Sequence, residues 1–396
     1  MKDLIKNKAQ DIFEEIVEFR REIHMNPEIG HEEVETAKRI VRELEKLNLD
    51  EIRTGVGGNG VVGILKGGKG EGKTLLLRAD IDCLPMTEQS GLPFASKKEG
   101  LMHACGHDVH TSILLGTAKV LSEIRDEFAG NVLFVFQPAE EAAPEGGAQG
   151  MIDDGVLDDP KVDAAFAMHV WNSPVGNVSF RNGPMMAQSD RIFVTVNGKA
   201  SHASQPEAGA DAIVAASHIV TALQTIVSRN ISPFSPLVVT IGTIKGGDRY
   251  NVICDKVVLE GTVRVFDMKV AEEMPDRINK IVKAQAESLG CTADVELVRG
   301  YSITQNDPGL FEIAMEALSE QLGRENITIP EFPASGGEDF SAFGKKIPTF
   351  FMWLGMESEM NQGKTTLHNP HLVIDENCIP VGIESATAFT LKFLEK

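Results

Sequence analysis

Residues 132–141 have the sequence VLFVFQPAEE, in which five apolar residues lead through a proline-containing turn to the adjacent carboxylates Glu140 and Glu141. A short apolar run bounded by turn residues is typical of a strand buried in a sheet. In open α/β sheets, functional groups collect beyond the carboxyl ends of the strands. This stretch therefore predicts an α/β core with a pair of carboxylates at the functional edge of its sheet.

Two other short apolar runs also end in ionisable side chains. Leu75–Leu77 leads into Asp80 and Asp82, and Ala164–Met168 leads into His169. Three predicted strands that deliver such groups at the same end favour a functional site over coincidence, because sites of α/β sheets form at that edge.

A glycine-containing turn adds a thiol and an imidazole to this set. Residues 103–107 have the sequence HACGH and precede an apolar run with helical spacing, residues 113–121. Cys105 and His107 lie two residues apart and are ligands suited to zinc or a similar transition metal. The carboxylates at positions 140 and 141 and the imidazole of His169 could complete the coordination. This arrangement predicts a metallohydrolase.

The adjacent carboxylates suit two different tasks. One could bind a metal ion while the other takes a proton from metal-bound water, whose pKa falls from about 15.7 toward ~7 on coordination. The predicted reaction is hydrolysis of an amide or ester through a tetrahedral oxyanion. Two other interpretations stay open. Cys105 could be the covalent nucleophile of an amidase without a catalytic metal, or the chain could be a non-catalytic metal- or ligand-binding protein.

The composition excludes several classes of partner. The chain has 396 residues and a formal net charge of −20, which argues against nucleic acid or an anionic membrane as a partner. Its five cysteines are scattered, as expected of reduced thiols in a cytosol. The charged amino terminus lacks the apolar core of a signal peptide, and no uninterrupted apolar run approaches the ~20 residues of a membrane span. We therefore expect a cytoplasmic protein.

Residues 189–299 form a self-contained pattern. Strand and helix patterns follow there in the order β-α-β-β-α-β, the ferredoxin-like arrangement. We therefore expect an α/β catalytic metal-binding domain, built from residues 1–187 and 301–396 around a central mixed sheet flanked by helices. An inserted ferredoxin-like α+β lid and dimerisation domain would comprise residues 188–300. An exposed edge or face of such a lid suits pairing, which predicts a homodimer or higher homo-oligomer.

Four motifs occur in order along most of the chain. They are MHACGHD at 102–108, QPAEE at 137–141, GGEDF at 336–340 and LHNP at 367–370. Together they resemble the bacterial and plant amidohydrolases that cleave N-acyl amino acids. That group includes hippurate hydrolase, the indoleacetyl-amino-acid hydrolases, N-acetyldiaminopimelate deacetylase and some thermostable carboxypeptidases, within the wider aminoacylase and metallocarboxypeptidase superfamily. The resemblance implies an N-acyl amino acid or short peptide as substrate.

The resemblance also implies a site for two divalent transition-metal ions, for which zinc, manganese, cobalt and nickel are candidates. The implied ligands are Cys105, His107, Glu141, His169 and His368. Glu140 would be the general base, and Asp82 the carboxylate that orients a ligand histidine. Asp80 stands where more distant members carry a ligand histidine, and the pair of residues 105 and 107 replaces that ligand.

Three further residues are implied within the inserted domain. His202, in the motif ASHAS at 200–204, matches the histidine that stabilises the oxyanion. Asn251 and Arg264 match positions that could hold a carboxylate of the substrate, a task to which the arginine fork is suited. An ion pair on the face of a strand would explain Arg264 equally well.

Overall fold

The computed structural model describes residues 1–396, which form ten α-helices and fourteen β-strands. The helices are α1 (Lys2–Asp11), α2 (Phe13–Met25), α3 (Val34–Leu44), α4 (His107–Glu123), α5 (Ala148–Asp153), α6 (Ala212–Thr225), α7 (Met268–Ser288), α8 (Pro308–Leu322), α9 (Ser341–Gly344) and α10 (Cys378–Leu394). The strands are β1 (Glu51–Val56), β2 (Gly60–Lys66), β3 (Thr74–Asp80), β4 (Asn131–Gln137), β5 (Ala164–Pro174), β6 (Val178–Ser179), β7 (Gly183–Met186), β8 (Gln188–Asn197), β9 (Leu237–Gly246), β10 (Lys256–Val265), β11 (Thr292–Val298), β12 (Thr304–Asn306), β13 (Ile327–Thr328) and β14 (Thr349–Glu357).

The first of two compact units comprises Met1–Met185, Gln305–Phe332 and Asp339–Lys396. Its eight-stranded sheet has the order β1-β2-β4-β3-β5-β14-β6-β13. The central strands β4, β3, β5 and β14 are parallel, whereas β1 and β2 are antiparallel to their neighbours. This is the mixed sheet of an α/β fold, so the predicted fold class is confirmed.

The three strands predicted to end in ionisable groups are adjacent in this sheet. Strand β3 pairs in parallel with β4, where Asp80 lies opposite Gln137, and it pairs in parallel with β5 on its other side. Their carboxyl ends therefore meet at one edge, which brings together the segments that follow β3 and β4 and the outer half of β5.

The second unit comprises Met186–Thr304 and Pro333–Glu338. Its four strands have the order β11-β8-β10-β9, and every neighbouring pair is antiparallel. Helices α6 and α7 contribute apolar side chains to the core of the unit. The order of elements along the chain is β-α-β-β-α-β, as the sequence predicts for a ferredoxin-like unit.

Three segments differ from the predicted domain boundaries. Residues 186–187, 301–304 and 333–338 belong to the second unit, whereas the sequence analysis placed them in the first. The physical reason is backbone hydrogen bonding, because the N–H of Ala187 donates to the carbonyl oxygens of Ala334 and Gly336. A six-residue segment without apolar periodicity offers no local signal for such pairing.

One helix is long and apolar enough to cross a membrane by these two criteria alone. It consists of α6 and the π-helical turn Ile226–Asn230 that follows it, and together these are 19 residues with a mean hydropathy of 1.3. A single helix of this kind is weak evidence, because the core helix of a globular unit passes the same test. Here one side of the helix, including Ile219 and Leu223, is buried in the core of the second unit.

Candidate metal centre

Five side chains implied as ligands lie in the first unit, on segments that the sheet brings together. Cys105 precedes α4, and His107 is the first residue of that helix. His169 lies on β5, and Glu141 follows β4. His368 comes from the segment between β14 and α10 and has a positive φ of 54°.

The Cys105 sulfur lies between two imidazoles. Its distance to Nε2 is 3.3 Å for both His169 and His368. Metal bonds of about 2.0–2.3 Å at near-tetrahedral angles place neighbouring ligand atoms about 3.3–3.7 Å apart. Two groups with metal-binding geometry share this sulfur, one with His107 and His169 and the other with Glu141 and His368. Cys105 therefore belongs to both groups.

In two histidines, hydrogen bonds engage Nδ1 and leave Nε2 without a hydrogen bond to a carboxylate or carbonyl oxygen. Nδ1 of His107 lies 3.0 Å from Oδ1 of Asp82, and Nδ1 of His169 lies 2.7 Å from the carbonyl oxygen of Val170. Each Nδ1 must carry the proton that it donates, so Nε2 is the nitrogen whose lone pair would bind a metal ion when the ring is neutral. This pattern is typical of metal-ligating histidines, whose other nitrogen donates to a carboxylate or carbonyl.

Two buried polar atoms in the centre make no hydrogen bond: Nε2 of His107 and Oε1 of Glu141. The Glu141 oxygen lies 3.2 Å from Nε2 of His368 and 3.9 Å from Nε2 of His107. Burying polar atoms without partners is costly, and a cation at their point of convergence would remove that cost. The sulfur, nitrogen and oxygen donors present therefore fit divalent transition-metal ions.

Asp80 and His110 lie beside the centre but are occupied by other contacts. Oδ2 of Asp80 accepts a hydrogen bond from Nη1 of Arg78 at 2.6 Å, and its Oδ1 accepts from Nδ1 of His110 at 2.6 Å. Nε2 of His110 in turn accepts from the backbone N–H of Val170 at 2.9 Å. His110 has no lone pair left, so it is not a ligand even though it is close to His107.

Negative charge dominates the electrostatics of the centre. Burial and the carboxylates of Glu141 and Glu140 raise the pKa of the Cys105 thiol. Burial alone lowers the pKa of His107, but the charge of Asp80 and the hydrogen bond to Asp82 raise it to about 10. A field of this sign attracts cations. It also opposes Cys105 as a metal-free nucleophile, since such cysteines need a lowered pKa.

Asp82 connects the histidine ligand to the carboxylate pair. Its Oδ1 accepts from His107, and its Oδ2 accepts from the backbone N–H of Glu141 at 2.9 Å. Oε2 of Glu140 lies 4.0 Å from Nε2 of His107. The structure thus places the side chains of residues 82, 140 and 141 within one buried cluster.

The other three candidate residues lie in the second unit. His202 is exposed, and its Nδ1 accepts hydrogen bonds from the backbone N–H and hydroxyl of Ser204 at 3.1 and 2.6 Å. The carbonyl oxygen of Asn251 accepts from the backbone N–H of Ala203, and its side-chain Oδ1 has no hydrogen-bond partner. The structure therefore brings His202 and Asn251 together.

Arg264 differs from one of its two sequence-based interpretations. Its Nε donates to the carbonyl oxygen of Ser335 at 3.0 Å, and its Nη1 donates to the hydroxyl of Thr262. No carboxylate lies within ion-pair distance of this half-buried guanidinium, and burial lowers its pKa. The alternative of an ion pair on the strand face is therefore wrong.

Sequence reasoning missed two residues that shape the centre, Arg78 and Glu33. Arg78 is a buried cation in strand β3, directly after the apolar run Leu75–Leu77, and a charge at that place in a buried strand could have been noticed in the sequence. Glu33 lies in the charged segment HEEVE at 31–35, which reads as a solvated surface and carries no such signal. Its carboxylate accepts a hydrogen bond from the backbone N–H of Ala139, one residue before Glu140.

Comparisons with known proteins agree on one family. The sequence profile of peptidase family M20/M25/M40 matches residues 76–392. The chain is 38% identical over 381 residues to an N-acetylcysteine deacetylase of Bacillus subtilis, covering 96% of this chain and 97% of that protein. It is 38% identical over 392 residues to an IAA-amino acid hydrolase of Arabidopsis thaliana, covering 98% and 87%. A solved structure from Bacillus subtilis, described as a dinuclear metal-binding peptidase of the M20 family, has a TM-score of 0.85 at 34% identity, covering 98% and 99%.

Substitution of Gly106, which lies between two candidate ligands, tests whether the turn has room for a side chain. It has a φ of 89°, and an added Cβ would lie 2.5 Å from Cγ2 of Val170. We expect Gly106→Ala to lower the free energy of unfolding by ~1–3 kcal/mol and to reduce metal content, because the turn must move. Chemical denaturation and elemental analysis measure the two effects.

Gly91→Ala is the matched control, because Gly91 also has a positive φ of 75° but has nothing within 4 Å of an added Cβ. It should reproduce only the backbone part of the destabilisation and keep the metal. Equal metal loss in both variants would contradict the close approach described for residue 106.

Proposed function

Because the chain belongs to peptidase family M20/M25/M40, we propose that it is a dinuclear metal-dependent hydrolase that cleaves the amide bond of N-acyl amino acids or short peptides. The observation that carries this proposal is the convergence of imidazole and carboxylate donor atoms around the Cys105 sulfur. The substrate class follows the printed names of relatives, a deacetylase of N-acetylcysteine and a hydrolase of IAA-amino acids.

We assign the ions to two groups of ligands that share Cys105. His107 and His169 complete one group, and Glu141 and His368 complete the other. Thiolate and imidazole donors favour zinc, manganese, cobalt or nickel over magnesium and calcium. When bound, such ions act as Lewis acids that lower the pKa of water and polarise the scissile carbonyl.

Glu140 is the proposed general base. Its carboxylate is buried within the cluster and lies beside His107, where it can accept a proton from the attacking water and return it to the leaving nitrogen. Asp82 is the proposed positioning residue, since one carboxylate holds the His107 ring and the backbone of Glu141.

The second unit is proposed to act as a lid that supplies binding groups. Ser204 donates to Nδ1 of His202, so the proton of this neutral ring is on Nε2, which can donate to an oxyanion. Asn251 and Arg264 are proposed to hold the carboxylate of the amino acid. The guanidinium donates hydrogen bonds to a carbonyl and a hydroxyl oxygen and to no carboxylate, which leaves its charge available for a substrate.

We further propose a cytoplasmic homodimer formed through the second unit. Strand β9 is an edge of the four-stranded sheet, and its side chains Val238 and Ile244 are 41% and 54% exposed. Long edge strands with exposed apolar side chains tend to pair with another chain. A second copy of this chain would cover such an edge symmetrically.

Substitution of Glu140 tests the catalytic assignment. Glu140→Ala should keep both ions but lose ~10²-fold or more in kcat, because the base is removed while the ligands stay. Glu141→Ala should instead lose metal. Turnover of a panel of N-acetyl amino acids, together with elemental analysis, separates the two outcomes. Normal turnover of Glu140→Ala would refute the assignment.

Substitution of Ile244 tests the dimer. Ile244→Asp should convert a dimer to a monomer by placing a charge in the paired edge, as measured by light scattering after size exclusion. Ile329→Asp is the matched control, because Ile329 lies in the first unit and is 48% exposed. A monomeric wild type, or an unchanged mass of Ile244→Asp, would argue against pairing through β9.

A further inference from the structure

The loop that carries Glu140 and Glu141 is held by carboxylates from distant parts of the chain. Asp339 contacts both ends of the loop. It accepts hydrogen bonds from the Gln137 side chain at 2.8 Å and from the backbone N–H groups of Gly147 and Ala148, both at 3.0 Å. These contacts fix where the loop leaves β4 and where α5 begins. They do not by themselves set the backbone next to the proposed base.

Ala139, directly before Glu140, adopts a conformation that alanine disfavours. Its φ is 57°, in the left-handed region, where a residue with a Cβ is strained by about 1 kcal/mol or more. Such a conformation persists only where surrounding contacts enforce it. The side-chain direction of the next residue depends on it, because the φ of Ala139 sets the path of the backbone into Glu140.

Glu33 supplies the enforcing contact. Its Oε1 accepts the backbone N–H of Ala139 at 2.7 Å, and its Oε2 accepts from Nδ2 of Asn59 at 3.1 Å. The side chain is fully buried. The neighbouring Gly30 packs so closely that an added Cβ would lie 3.1 Å from Cα of Ala139. The segment of residues 30–33 therefore holds one corner of the loop.

We infer that Glu33 is a positioning residue for the proposed base: its carboxylate holds Ala139 in the left-handed conformation and thereby aims Glu140 into the metal centre. This inference rests on the proposed function of Glu140. Glu33 lies outside residues 76–392, the stretch matched by the family profile. Together with Asp82, which accepts the N–H of Glu141, it anchors the backbone on both sides of Glu140.

The inference predicts a specific kinetic pattern. Glu33→Ala should lower kcat by ~10- to 10²-fold, since a displacement on the order of 1 Å in a catalytic group has that effect. Metal content should stay unchanged, because Glu33 contacts no ligand side chain. KM should change by less than about threefold. Glu33→Gln, which keeps an acceptor oxygen for the N–H, should recover part of the lost turnover.

Ala139→Gly supplies the decisive test, because glycine adopts positive φ without help. In the Glu33→Ala background, Ala139→Gly should restore a large part of kcat, so that the double-mutant cycle shows coupling between the two positions. In the wild-type background it should change kcat little. Additive effects, or full activity of Glu33→Ala, would overturn the inference.

Glu28→Ala is the matched structural control. Glu28 is also a buried carboxylate of this segment, but it accepts from the N–H and hydroxyl of Thr36 and does not contact the loop. It should lower stability and leave kcat unchanged. An equal loss of kcat in Glu28→Ala would mean that Glu33 acts only through the stability of the segment.

A readout independent of activity separates this inference from the proposed function. Amide hydrogen exchange of peptides covering residues 138–142 should be faster in Glu33→Ala than in Glu28→Ala. Unchanged exchange would overturn the inference even if no tested substrate is cleaved. If Glu140→Ala keeps normal turnover while exchange changes as expected, the role of the base fails and the backbone contact stands.

Discussion

A buried concentration of negative charge is the constraint on which the rest of this protein depends. The parallel strands β3 and β4 bring the carboxylates of Asp80, Asp82, Glu140 and Glu141 to one edge of the sheet, around a cysteine with a raised pKa. Buried charge of one sign is unfavourable unless it is paired. Arg78 neutralises the charge of Asp80, and His110 donates a hydrogen bond to it. Imidazole and carboxylate donor atoms of His107, His169, Glu141 and His368 lie close to the sulfur of Cys105. Bound metal ions would therefore offset buried negative charge of the centre.

The second constraint is the backbone that carries these groups. Gly106, Ala139 and His368 all have positive φ, and each lies at or next to a candidate ligand or base. Strained backbone persists where surrounding contacts over-determine it. At Ala139 that contact is the carboxylate of Glu33. Gly106 adopts its positive φ without strain because it has no Cβ, and a Cβ there would clash with Val170. The acidic residues thus have two uses here, since some point into the centre and others hold the peptide groups that aim them.

The second unit carries its own preorganised group. Ser204 donates to Nδ1 of His202 and so sets the tautomer of this ring through a contact two residues away. The topology of the second unit could be predicted from the sequence because its strand and helix patterns follow in the order β-α-β-β-α-β. The segment Pro333–Glu338 was not readable, because it joins the unit through backbone hydrogen bonds to Ala187 that leave no pattern in its side chains. The ion pair considered for Arg264 was wrong for a related reason, as its partners are backbone and hydroxyl oxygens.

The amino-acid sequence alone was enough to predict the kinds of donor present, the strands that carry them and the two-part order of the chain. Apolar periodicity and short motifs are local, so they are visible without the fold. The contacts of Asp80 with Arg78 and His110, and that of Glu33 with Ala139 across 106 residues of chain, became visible only in the folded protein. Such contacts depend on strand register and loop paths that join distant segments. Short sequence motifs therefore indicate the type of chemistry, whereas contacts between distant segments determine how each side chain is oriented.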